Sequence, residues 1–160
     1  MDPRNQIRRA VPRVHPVPKR AAGGRRARLS GAATQNQTLT AASTLADADG
    51  LGTLAYQWQS STDSGSTWTA IGGATASTFT LTEAQVGKLV RVNVSYTDGH
   101  GTAESVTSGA TTAVTNVNDA PTGSVTITGT PTQGQTLTAG NTLADADGMG
   151  AITYTWKAAG

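Results

Sequence analysis

From residue 29 onward, apolar and polar positions alternate in short runs broken by turn-forming residues. This is the period-two pattern of half-buried β-strands. Gln37–Ala41 alternates Thr with apolar residues, and Leu54, Tyr56 and Trp58 share one strand face. Ser61–Ser66 reads as a turn, and Trp68–Ile71 returns from it. Thr78–Thr82 points Phe79 and Leu81 inward, and Val90, Val92, Val94 and Tyr96 form the longest alternating face. Asp98-Gly99-His100-Gly101 reads as a hairpin turn and Ala103–Thr115 as the closing strand. Glu83–Gly87 suits a single helical turn. About seven strands in about 90 residues predict an all-β, two-sheet antiparallel sandwich, with Trp58 packed centrally against Leu39, Phe79 and Val92.

The pattern occurs twice. Gln37–Ala41 returns as Gln135–Ala139, Thr44–Gly50 as Thr142–Gly148, and Tyr56-x-Trp58 as Tyr154-x-Trp156, each offset by 98 residues. Between residues 31–58 and 129–156, 18 of 28 positions are identical, which marks a duplication. The domain reading is therefore a complete repeat over 29–118, then a linker and the first strands of a truncated second repeat over 119–160. A copy that stops at its Tyr-x-Trp strand cannot close a core, so the chain reads as a fragment of a longer tandem array.

Charge separates a third segment. Residues 1–28 hold nine basic residues against one acid, whereas 29–160 hold three against nine, so a head of +8 precedes a body of −6. The head has four prolines and no hydrophobic period. It is expected to be disordered and not necessarily native to the array. No apolar stretch follows its charged start, so it does not read as a secretory signal. A basic arm for nucleic acid is the functional alternative for this segment.

Composition narrows the chemistry. There is no Cys, which excludes disulfides, thiol nucleophiles and Cys-ligated metals. The 28 Thr residues and the 4% of aromatic residues suit thin β-sheets. The two His residues, His15 and His100, lie in the head and in a Gly-flanked turn, and no phosphate-binding Gly-rich loop follows a strand. We therefore expect no enzyme and no catalytic residues. No run is apolar enough to span a membrane as a helix. Ser61-x-Asp63-x-Gly65-x-Thr67-Trp68 has the Asp-box pattern, read as a hairpin staple in which Asp and Ser cap the turn and Trp packs beneath. Lys88 and Arg91 read as ordinary solvated charges. Asp47-x-Asp49-Gly50 and Asp145-x-Asp147-Gly148 pair carboxylates two residues apart, a spacing that suits either an ordinary turn or a share of a calcium shell of six to eight oxygens.

The junction Val117-Asn118-Asp119-Ala120-Pro121, the loop Leu45–Gly50, Tyr56-x-Trp58, and Phe79–Thr82 leading to Gly87 and Arg91-Val92 together resemble a known class. It is that of the immunoglobulin-like, cadherin-like tandem repeats of large bacterial surface adhesins and RTX-type secreted proteins. The resemblance covers 29–160. It implies an immunoglobulin-like sandwich in tandem, an extracellular or cell-surface location, and a role as stalk or adhesive spacer. The implied partners are neighbouring repeats and an unknown surface or glycan target rather than nucleic acid. It further implies Ca²⁺ shared between domains. The ligands would be linker residues Asn116, Asn118 and Asp119, loop residues Asp145 and Asp147, and Glu83 of the preceding repeat. Asp47, Asp49 and Asp98 would be the equivalent loop acids of the first copy. Asn116 stands where the cadherin pattern has Asp, and Ala120 where it often has Asn. A carbohydrate-binding accessory module of a secreted enzyme is the remaining alternative, and it would need an exposed aromatic platform.

Overall fold

The computed structural model describes residues 26–158. The basic head, apart from its last residues, lies outside the described residues. The fold is all-β. Strands β1 (Ala27–Ser30), β2 (Thr38–Ser43) and β5 (Thr78–Thr80) form one antiparallel sheet in the order β1-β2-β5. Strands β3 (Ala55–Ser61), β4 (Thr69–Ala70), β6 (Leu89–Thr97) and β7 (Ala103–Thr107) form a second, in the order β4-β3-β6-β7. Among the described residues the one helical element is a 3₁₀ turn, Glu83–Gln85.

Alternation sets which side chains meet between the sheets. Leu39 and Ala41 of β2 and Val90, Val92, Val94 and Tyr96 of β6 are buried, while their sequence neighbours face outward. Trp58 lies opposite Val92 in the β3–β6 register and is fully buried, and its ring centroid sits 5.5 Å from that of Phe79. Phe79 pairs with Leu39 across β2–β5, so one cluster ties both sheets together. This is the packing expected from the pattern.

Strand β1 corrects the boundary drawn from charge. Ala27 is 3% exposed and pairs with Ser43, so the end of the basic head is the start of the sandwich. Charge and fold change at different residues because an outward position of an edge strand, here Arg28, tolerates any polar residue. Arg91 also departs from the expectation of a solvated charge. Its guanidinium carbon lies 4.1 Å from the Trp68 ring centre and its Nε donates to Gln59 Oε1 at 2.8 Å.

The β3–β4 hairpin is held as the Asp-box pattern predicts. Ser61 Oγ donates to Asp63 Oδ1 and accepts from Gly65 N, while Thr67 N and Oγ1 donate to the two Asp63 oxygens at 2.9 and 2.6 Å. Trp68 Nε1 closes the turn on Gly65 O. These donors, the Ser61 hydroxyl first, hold the Asp63 carboxyl far below the usual carboxylate range. A depressed carboxyl contributes stability that is fully present above the ordinary Asp pKa of about 4 and is lost progressively as pH falls from there toward its own lower value. The Tm of the parent protein should therefore fall more steeply between pH 4 and 2 than that of Asp63→Asn. Parallel curves for the two proteins would show that the hairpin carboxylate carries no linkage.

The opening hairpin of the second copy repeats that of the first. Strands β8 (Val125–Thr128) and β9 (Thr138–Asn141) pair antiparallel, 98 residues after β1 and within the equivalent of β2. Asn36 and its counterpart Gly134 both take positive φ, at 66° and 82°. The inner face differs, because β3, β5 and β6 have no counterparts among residues 122–158: the Tyr154-x-Trp156 segment, expected as a strand, forms none, having no β6 equivalent to pair with. Leu137 is 37% exposed where Leu39 is 0%, and Trp156 is 53% exposed where Trp58 is 0%.

Candidate metal centre

The chain reaches the junction by a constrained path. Val114 is clamped between the 3₁₀ turn and β6, its carbonyl accepting from Gly87 N and its N donating to Lys88 O. Thr115 N donates to Ala33 O and Thr115 O accepts from Gln35 N. The 3₁₀ turn is itself tied, since Thr82 N and Oγ1 both donate to Gln85 Oε1. Glu83 opens that turn and so stands beside the point where the linker leaves the first repeat.

In the second copy, Asp147 N donates to Asp145 Oδ1 at 2.9 Å and Gly148 N to Asp145 O, the turn that Asp47, Asp49 and Gly50 form in the first copy. The turn presents Asp147 to the linker. Asn116 Nδ2 donates to its Oδ1 at 2.8 Å and Asp119 N to its Oδ2 at 2.7 Å. Glu83, Asp119 and Asp147 thereby bring one carboxylate oxygen each to within 4.8 Å of one another. They come from the first repeat, the linker and the second repeat. Glu83 Oε2 is buried with no hydrogen-bond partner. A carboxylate oxygen removed from water and left unpaired is costly, and three carboxylates this close repel. A cation bound between them would relieve both costs. The donors are all hard oxygens, which suits Ca²⁺ or Mg²⁺ and disfavours soft metals.

The remaining sequence-nominated residues lie elsewhere. Asp145 serves its own turn, and Asn118 Nδ2 donates to the adjacent Asp119 O. Asp47, Asp49 and Asp98 gather in the first copy around the Asp98–Thr102 turn. Asp98 Oδ1 accepts from His100 N at 2.9 Å and Thr102 N at 2.7 Å, and these backbone donors, Thr102 first, lower its pKa. Asp98 is thus a turn cap. Tyr96 Oη donates to Asp47 Oδ2 and Glu104 Oε2, and the bond to Asp47, then burial, keeps the phenol protonated far into the alkaline range. His100 Nδ1 stands 3.6 Å from Asp49 Oδ1 with an exposed ring.

One residue at the junction was not nominated from sequence. Gln35 is 3% exposed, accepts from Val117 N at 2.9 Å through Oε1, and donates from Nε2 to Asp119 Oδ2 at 2.8 Å. Its recurrence as Gln133, 98 residues on, was the available signal.

Residues 29–118 match the model of a family described as a domain of unknown function (DUF8696), over the same span that the repeat spacing assigns to the complete unit. The search of curated proteins returned no match.

Proposed function

We propose that this chain, which belongs to that family of domains of unknown function, is part of a tandem β-sandwich stalk. It would space an adhesive or binding module from a bacterial cell surface, with Ca²⁺ at the repeat junction fixing the angle between neighbours. The observation that carries the reading is the convergence of Glu83, Asp119 and Asp147 from both sides of the linker. A cation held by all three ties two repeats together, so its occupancy translates directly into stiffness of the joint. The sequence likeness to adhesin and RTX-type repeats supports the same assignment. It also supports an extracellular setting, where affinities of roughly 10⁻⁴–10⁻³ M are sufficient.

Thermal melts of the full chain in chelator and in Ca²⁺ at about ten times the dissociation constant test this. Linkage predicts about 1.4 kcal/mol of stabilisation, a Tm rise of about 5–10 °C for a folding unit of this size. Glu83→Gln and Asp119→Asn should each abolish the rise. An equal Tm with and without Ca²⁺ in the parent protein would leave a spacer without a metal-dependent joint.

A further inference from the structure

We infer that Gln35 is the latch of the repeat junction, the residue that sets the linker's path before any cation binds. Charge alone would leave the joint open, because the acids that meet there repel one another. The geometry shows instead a joint already closed by amide donors. The Gln35 side chain holds the linker at two points. Its carbonyl takes the Val117 N–H at 2.9 Å and its amide grips Asp119 Oδ2 at 2.8 Å. Asp119 N and Asn116 Nδ2 then pass the same hold to both oxygens of Asp147. The amide is buried, so both bonds are partly shielded from water, and the one to the Asp119 carboxylate is charge-assisted. Its base is rigid as well, because Gln35 N bonds to Thr115 O and the next residue, Asn36, bonds through its N to Leu81 O.

A carboxamide suits this arrangement. One end must accept from a backbone N–H and the other must donate to a carboxylate, and the Gln35 side chain carries both functions on one uncharged planar group. The identical residue recurs 98 positions on as Gln133, which is exposed. Asn116, standing where the cadherin pattern has Asp, fits the same logic. An amide there donates to Asp147, whereas a carboxylate would add a fourth like charge.

The inference goes beyond the calcium reading and does not depend on it, and its test is run in chelator. Amide hydrogen exchange on the full chain compares the parent with Gln35→Met, which removes both bonds at similar volume, and Gln35→Glu, which keeps the acceptor and loses the donor. In Gln35→Met, exchange at Val117 and Asp119 should accelerate about tenfold or more while Trp58, Val92 and Val94 keep their parent rates. In Gln35→Glu, Val117 should stay protected and Asp119 should accelerate. Parent-like exchange at Val117 and Asp119 in Gln35→Met would overturn the latch. So would a uniform acceleration of the core amides in both variants, which would make Gln35 a packing residue of the repeat. Loss of the calcium-dependent melt with these exchange results intact would remove the metal and leave the latch.

Discussion

Trp58→Ala is expected to destabilise the first repeat by about 3–5 kcal/mol, a large share of the 5–15 kcal/mol that holds a domain of this size. The indole is fully buried between the sheets, beside Phe79 and opposite Val92. Removal leaves a cavity lined from both layers, and β-sheet backbones cannot collapse to fill it without breaking register. It also strands Ala76 O, which accepts from Trp58 Nε1 at 2.9 Å and holds the segment entering β5. The same substitution at Trp156, 53% exposed, should cost well under 1 kcal/mol. Urea unfolding of the two variants reads the difference directly. A loss of less than about 1 kcal/mol for Trp58→Ala, taken as the midpoint shift multiplied by the m-value, would mean that the inter-sheet cluster is not the centre of the fold.

Gly31→Ala should cost about 2–4 kcal/mol, although it adds a single methyl group to an exposed turn. Gly31 has φ of +115°, a region costly for any residue with a side chain. A Cβ there would also lie 2.5 Å from Thr38 O and 3.2 Å from the Leu39 Cα, both backbone atoms that cannot swing aside. Relief requires β2 to shift, and β2 carries Leu39 into the core. Gly129 has the same φ to within 2° and the same distances to Thr136 O and Leu137. Its substitution therefore strains the same turn, but the residue entering β9 there, Leu137, is 37% exposed. A urea midpoint for Gly31→Ala equal to that of the parent would show that the turn relaxes freely.

Much of the architecture was readable in one dimension because its causes are local or periodic. A period of two in Val90–Tyr96 dictates which face is buried whatever the partner strand. The turn at Ser61–Trp68 closes on its own side chains within eight residues, so its hydrogen bonds follow from spacing. The offset of 98 residues needs no structure at all. Glu83, Asp119 and Asp147 were among the nominated acids for the same reason: their positions in the repeat could be matched to loops.

What distance in sequence concealed was selection among residues that look alike. Asp145 and Asp147 are two apart and chemically identical, yet one caps its own turn and the other faces the linker, because the Asp147 N–H bonds back to one oxygen of the first carboxylate. Asp98 looked like a ligand and is a cap, for the same reason. Gln35 bonds to residues 82 and 84 positions away, a separation across which no local pattern carries information. The strand faces, the hairpin staple and the duplication are thus properties of the chain itself. Which polar groups meet across the junction was settled only when the 3₁₀ turn, the linker and the second copy's loop were packed together, since burial and long-range hydrogen bonding decide which of several equivalent side chains has no nearer partner.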